Sequence, residues 1–425
     1  MNIAIVYPSL RAVGGAENVI VWLAESLSRK HRVVLFTKEF SEATWGNIKE
    51  RPYGVHLLDF TKYRSTLKTN REAGAALATA LPSYNFDIVN PHNYPASLWV
   101  YYAKQQAGVF PKTVLFMHNL TRTFYEGVID VHLKKLPGVR NVWNRYRPKK
   151  LFRRLRQALF GYRKLDQAAV RACDVVLANS SYTAELASRI YHRDVQPCTL
   201  GVSVERFLHQ QDALVTPVKS SAVTLLTVTR IELQKNLDTL LAALKILKDQ
   251  NRIPNGFLYK IAGNGPYLAY YKKKAHRMGL DGFVRLLGHV PPAEIGKLYA
   301  EARFLVHVPL DEPFGLVPLE AALFKRPSVV SDHAGPAITV LNGITGVHVD
   351  ALDPQKMADA IAELLNEPEK AARMGEAAFT WVSENMTWDI FSQNFEKYLA
   401  EISTCKYNSA RNIRPSQDSQ EVMDQ

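Results

Sequence analysis

Two glutamates eight positions apart, in EPFGLVPLE from Glu312 to Glu320, are the first residues that suggest chemistry. On one continuous helix, eight steps of ~100° would leave their carboxylates about 80° apart, neither aligned nor opposed. The Pro-Phe-Gly after Glu312 argues against such a helix. A strand-like run, ARFLVHVPL, precedes the pair, and a helix-like run, LVPLEAALF, contains its second member. Pro318 suits a first helical turn, where its missing N–H is not needed. Glu312 is therefore read as a loop carboxylate at a strand end, and Glu320 as a first-turn carboxylate. Between them, Phe314 and Gly315 can point backbone N–H groups into a cleft.

Four more loops fall after a strand-like run and before a helix-like one. In TRIELQKNLD, Arg230 closes the strand and Lys235 precedes Asn236, a candidate helix cap. Two cations at a helix start suit a phosphate or diphosphate. In IAGNGPY, Gly263 and Gly265 allow a ligand close to the backbone, as do Gly14 and Gly15 in VGGAE. In FMHN, His118 stands at a strand end. Taken singly, each is ordinary. There is no GxGxxG. A lone His118 is more often structural, Arg230 and Lys235 could be a solvated loop, and Glu320 could be a capping glutamate. Order and spacing combined carry the signal.

The elements that would hold these loops alternate regularly. NIAIVYPSL, HRVVLFTKE, FDIVNPH, TVLFMHN and VVLANSS read as strands, with ENVIVWLAESLSRK as a helix. Ser180 or Ser181 is placed to cap a helix near Tyr182. A polar stretch, DALVTPVKSS from Asp212 to Ser221, is the candidate linker. The rhythm then restarts in TLLTVTR, LDTLLAALKILKD, FLYKIAG, VRLLGHV, ARFLVHVPL and RPSVVSD. This predicts an α/β chain with two tandem Rossmann-like, doubly wound domains, 1–206 and 207–385. Ligands in such sheets bind at the carboxyl ends of the strands. MTWDIFSQNFEKYLAEI has helical periodicity, and residues 405–425 are polar without pattern and expected to be disordered.

Composition narrows the class. The chain has 425 residues, too many for one ordinary core. Its three cysteines make neither a disulfide framework nor a metal knuckle, so a reducing, cytoplasmic setting is expected. The N-terminal run lacks the basic start and long apolar core of a signal peptide. No stretch reaches 18 uninterrupted apolar residues. The net charge of +13 points to an anionic partner. No nucleic-acid-binding module is visible, so nucleic acid is not expected.

Arg230 to Lys235, Gly263 to Pro266 and Glu312 to Glu320, in this order, resemble the family 4 glycosyltransferases of GT-B architecture, with their Arg-x4-Lys pair, GxGP loop and Glu-x7-Glu motif. Gly14–Gly15, His118 and GVSVERF also match, and the resemblance extends to about residue 404. It implies two domains around a central cleft, with helix 386–404 returning to the N-terminal domain. It implies a retaining hexosyltransferase that moves a mannose- or glucose-type sugar from a UDP- or GDP-linked donor to a saccharide acceptor in polysaccharide or glycan biosynthesis. Arg230, Lys235, Glu312 and His118 would form the catalytic set: the two cations on the leaving diphosphate, Glu312 on donor-sugar hydroxyls, His118 facing the donor sugar. Glu320 would bind the ribose hydroxyls, and Gly14, Gly15, Gly263, Gly265, Phe314, Gly315 and Leu316 would complete the donor site. No two aspartates stand two positions apart, so no metal cofactor is expected. The alternatives are a GT-B nucleotide-sugar epimerase and a non-catalytic partner subunit of a glycosyltransferase. The family usually has glycine at the positions of Thr229, Asn236 and Lys325, and Asn-Gly-Val-Asp where this chain has Leu200 to Ser203.

One segment stands outside that set. Lys134 to Lys164 carries twelve lysines and arginines and no acid, nearly the whole net charge. Leu151, Phe152, Leu155 and Leu159 recur among them at helical spacing. One reading is a helix with a buried apolar stripe and solvated charges. The other is a patch, including Arg153, Arg154 and Arg156, that meets an anionic membrane surface and places the enzyme peripherally at the inner face, with a lipid-linked acceptor.

Overall fold

A computed structural model describes residues 1–11, 14–61, 66–120, 161–205 and 223–404. The linker candidate, the tail 405–425 and Arg153, Arg154 and Arg156 lie outside the described residues. Among those described, the strands form two large parallel sheets. The first has the spatial order Gly54–Leu57, Arg32–Thr37, Asn2–Val6, Ile88–Pro91, Lys112–Met117, Val175–Ala178, Gln196–Pro197. The second runs Val284–Gly288, Leu258–Ala262, Thr224–Val228, Phe304–His307, Ser328–Ser331, Gly346–Val349. Both are doubly wound, and the two domains have the GT-B architecture expected.

The pattern follows from burial on both faces. Ile3, Ala4, Ile5 and Val6 are all buried, as are Phe304, Leu305, Val306 and His307. A parallel sheet covered by helices favours such unbroken apolar runs over alternation. The strands Gly54–Leu57 and Gln196–Pro197 escape a reading based on apolar runs because they are half-exposed sheet edges.

Each sheet reverses its winding between two central strands. In the first, Asn2–Val6 lies beside Ile88–Pro91; in the second, Thr224–Val228 lies beside Phe304–His307. Such switch points open a crevice at the strands' carboxyl ends. Every loop singled out above follows one of these strands or a near neighbour.

The last helix among the described residues, Trp388–Ser403, packs on the first domain. Phe391 and Phe395 meet Phe116 at ring-centroid distances of 5.8 and 5.6 Å, and Trp388 meets Trp22 edge-on at 5.4 Å. Its start is pinned by backbone bonds between Val202 and both Met386 and Trp388, at 2.8 and 2.9 Å. A Cβ on Gly201 would lie 2.0 Å from the carbonyl oxygen of Thr387, so this approach requires glycine. Among the described residues no helix is long and apolar enough to cross a membrane.

Candidate active site

A cleft of about 930 Å³ is lined by residues that follow central strands of both sheets. On the first-domain side, Gly14 caps the helix Gly15–Ser28, whose N-terminus therefore ends at the cleft. Glu17, in the first turn, accepts a hydrogen bond from Tyr7 at 2.9 Å and also lines the cleft. It stands in VGGAE but escaped notice because a first-turn acid is the usual companion of a helix dipole.

On the second-domain side the two expected cations take different partners. Lys235 forms an ion pair with Glu312, and their side chains are 16% and 22% exposed. Arg230 lines the cleft, is 75% exposed, and pairs instead with Glu232 at 2.8 Å. Glu232 also accepts from Gln234 at 2.6 Å. The sequence predicts one cationic site from Arg230 and Lys235; in the structure each cation is matched by its own carboxylate. Beneath the Lys235–Glu312 pair, His307 is buried at a strand end. Desolvation pushes it down to about 4, so it is neutral at pH 7.

Asn236 precedes the helix Leu237–Asp249, but its side chain makes no cap bond to it. Its backbone is left-handed, with φ 60°, the conformation glycine usually supplies. Its amide instead donates to the carbonyls of Val308 and Ala351, at 3.0 and 2.6 Å, and accepts from Thr239 at 2.7 Å. It therefore ties the Arg230–Lys235 loop to the loop of Glu312.

Gly315, with φ 97°, precedes the helix that Leu316 opens, and Phe314 is buried. Glu320 is not a capping glutamate. Its carboxylate accepts from the hydroxyl of Tyr299 at 2.7 Å, and Tyr299 is fully buried and stacks on Phe324 at 5.6 Å. Nothing in the spacing of KLYAE pointed to Tyr299, which comes from another helix. The loop is also held from the first domain, since Ser180 and Thr183 donate to the carbonyl of Pro313 at 2.7 and 3.5 Å. Ser180 caps its own helix as expected, accepting from the N–H of Thr183 at 3.1 Å.

Gly263 lines the cleft, but its need for glycine is internal. A Cβ there would lie 1.8 Å from the carbonyl oxygen of Thr229, and one on Gly265 would lie 2.4 Å from that of Ile231. Two protein loops approach each other here, where the sequence predicts room for a ligand.

His118 follows the strand Lys112–Met117 and is 6% exposed. Its N–H donates to Asn93 Oδ1 at 2.7 Å, and its carbonyl accepts from Asn179 at 2.8 Å. Asn93 forms the cleft wall at this point. Desolvation pushes the His118 ring down to about 3, so it is neutral. Among the described residues, no three His, Cys, Asp or Glu side chains converge as a metal site.

A family model described as Glycosyltransferase Family 4 matches residues 13–206, and one described as Glycosyl transferases group 1 matches residues 211–381. A GDP-mannose-dependent alpha-(1-6)-phosphatidylinositol monomannoside mannosyltransferase of Mycobacterium tuberculosis is 29% identical over 53% of this chain, and the match spans 61% of that relative's length. The alpha-1,3/1,6-mannosyltransferase alg2 of Schizosaccharomyces pombe is 25% identical over 94% of this chain and 80% of its own. Among solved structures, a sucrose-phosphate synthase of Thermosynechococcus elongatus shares the fold at a TM-score of 0.75, with 17% identity over 95% of this chain and 99% of that one. HepE of Anabaena, in complex with UDP-glucose, does so at 0.70, with 17% identity over 94% and 100%. The two family models between them take in most of both domains, and the chain belongs to the family 4 glycosyltransferases.

Proposed function

We propose that the protein transfers a mannose- or glucose-type hexosyl group from a UDP- or GDP-linked donor to a saccharide acceptor, with retention at the anomeric carbon and without a metal. The Lys235–Glu312 pair at the second switch point carries this reading. Breaking the glycosidic bond puts negative charge on a nucleoside diphosphate, and fixed cations at that charge lower the barrier. Lys235 and the exposed Arg230 supply the cations, and the helix N-termini at Gly15 and Leu316 supply N–H groups. Once Lys235 turns to phosphate, Glu312 becomes available to donor-sugar hydroxyls. Glu320, oriented by Tyr299, takes the ribose hydroxyls. The activities of the mannosyltransferase relatives and the UDP-glucose bound to HepE support donors of this class.

The acceptor belongs on the first-domain wall of the cleft, and we propose that it is lipid-linked, with Arg153, Arg154 and Arg156 at an anionic membrane surface. Twelve basic residues in one acid-free segment support this.

A thermal-shift screen of UDP- and GDP-sugars tests the donor, since a ligand at 100 times its Kd stabilises by ~2.7 kcal/mol. Transfer to a lipid-linked saccharide, in EDTA, with the product anomer read by NMR, tests the reaction. Epimerised donor without transfer would point to the epimerase, and a folded protein that binds no nucleotide sugar would point to a non-catalytic subunit. Co-sedimentation with anionic but not neutral vesicles, lost when the three arginines become glutamine, tests the membrane surface.

A further inference from the structure

Behind His118 lies a second histidine that no motif singled out. Asn90 and His92 stand at the end of the strand Ile88–Pro91, which lies beside the strand leading to His118. Both are fully buried. The order of hydrogen bonds here is fixed from a backbone carbonyl outward. Asn90 Nδ2 donates to the carbonyl of Val114 at 2.5 Å, which turns Asn90 Oδ1 toward His92 Nε2, 2.8 Å away. An amide oxygen only accepts, so His92 Nε2 carries the proton. A neutral imidazole protonated at Nε2 leaves Nδ1 as an acceptor, and His92 Nδ1 is 2.9 Å from His118 Nε2. His118 Nε2 must then donate, and His118 Nδ1 keeps its lone pair. The two rings stack at 5.1 Å and 27°, which holds the sequence in register. Burial pushes both rings well below the usual histidine range, and the neighbouring His118 adds to this at His92. Neither takes a second proton near neutrality.

The far end of the chain is open. Among the described residues His118 Nδ1 has no partner, yet it is not sealed off as the unpaired Nε2 of His307 is. A histidine kept for packing alone needs no directional chain behind it.

We propose that Asn90 and His92 are positioning residues that fix His118 as a hydrogen-bond acceptor toward the donor sugar, so that the site selects a sugar presenting a hydroxyl there and rejects one presenting a carboxylate. This rests on the hexosyl-transfer reading above. A hydroxyl can donate to the Nδ1 lone pair. A carboxylate brings lone pairs against it in a desolvated corner, leaving both unsatisfied.

Nitrogen-15 NMR of the histidine rings in the full-length, ligand-free protein tests the first half without reference to any reaction. His92 and His118 are both expected as Nε2–H tautomers, and a proton on His118 Nδ1 would overturn the proposal. Calorimetric titration tests the second half. GDP-mannose should bind about 10–100-fold more tightly than GDP-mannuronate, or UDP-glucose than UDP-glucuronate, whichever pair binds. Equal affinity for sugar and uronate would overturn the selectivity. Asn90→Asp should invert the chain: the carboxylate favours a charged His92, whose Nδ1–H then donates to His118 Nε2 and leaves the proton on Nδ1. The preference should shrink by about tenfold or more. His92→Leu removes the chain altogether and should shrink it likewise if the aspartate variant does not fold. An unchanged preference in a folded variant would remove Asn90 and His92 from the site. If the wild-type protein binds none of the four nucleotides, the hexosyl-transfer reading fails, and the NMR result alone decides the tautomer.

Discussion

Lys235 and Glu312, 77 residues apart in sequence, form an ion pair beyond the ends of two adjacent strands of the second sheet. Each side chain is about four-fifths buried. On the function proposed above, the cation meant for a leaving diphosphate would thus be held in place before any donor arrives, by the carboxylate meant for the donor sugar. One arriving molecule can satisfy both groups by separating them.

Lys235→Ala should therefore lose twice. Turnover should fall by roughly 10²–10³, the usual effect of deleting a transition-state donor. Stability should fall by about 1–3 kcal/mol, because Glu312 is left part-buried without this partner. Adding Glu312→Gln to that variant should return most of the stability and none of the turnover. Urea denaturation and kcat measured on the same three proteins check this. A double variant with near-normal turnover would place Lys235 outside the chemistry.

Tyr299→Phe removes one hydroxyl and keeps the ring stacked on Phe324. The bond it deletes, 2.7 Å to Glu320, orients a carboxylate assigned to the ribose. KM for the nucleotide sugar should rise about tenfold, the worth of one such bond, with kcat little changed. A fall in kcat at constant KM would mean that Glu320 acts on the reacting sugar instead.

The sheets and the helix of Glu320 were legible because buried parallel strands and amphipathic helices write long patterns into the sequence. The site was legible as a set of loops, since each candidate follows a strand in order. Its internal pairing was not. Whether Arg230 turns to Lys235 or to Glu232 depends on side-chain rotamers and on Gln234, which also bonds Glu232, and spacing carries no record of either. Tyr299 and His92 reach the site from other elements, so only the assembled fold brings them to Glu320 and His118. The glycines mislead for a related reason. A close approach between Gly263 and Thr229 looks, in sequence, the same as room left for a ligand.

Lys325 occupies a position where the structure calls for glycine. After the helix Leu316–Leu323, the N–H groups of Lys325 and Arg326 bond back to the carbonyls of Ala322 and Ala321 at 2.9 and 3.1 Å, and Lys325 has φ 57°. This is the Schellman ending, which glycine adopts without a Cβ penalty. Its ion pair with Glu376, at 2.9 Å, is more than half exposed on both sides and contributes little. Lys325→Gly should stabilise the protein by about 0.5–1 kcal/mol. Calorimetry should show a melting temperature higher by about 1–4 °C. A lower one would mean that the exposed pair outweighs the backbone.

Three buried histidines contribute to the response to acid. His118 is pushed down to about 3 and His307 to about 4, both by desolvation, and His92 lies well below its ordinary value for the same reason. In the unfolded chain all three titrate near 6.5. Their folded values are depressed, so below about pH 6.5 the unfolded state binds protons that the folded state refuses. Stability is complete above that pH and is lost as pH falls toward 4, by about 2 kcal/mol each for His118 and His307 at pH 5. The midpoint of urea unfolding should therefore drop steeply between pH 6.5 and 4. His307→Leu isolates one contribution. It keeps a buried apolar volume, deletes an Nε2 that has no partner among the described residues, and stands apart from the His92–His118 chain. The variant should have a shallower pH slope while its stability at pH 8 stays level or rises. A slope equal to the wild type would mean that His307 titrates in the folded protein near its ordinary value, and that its burial at the strand end is relieved by water.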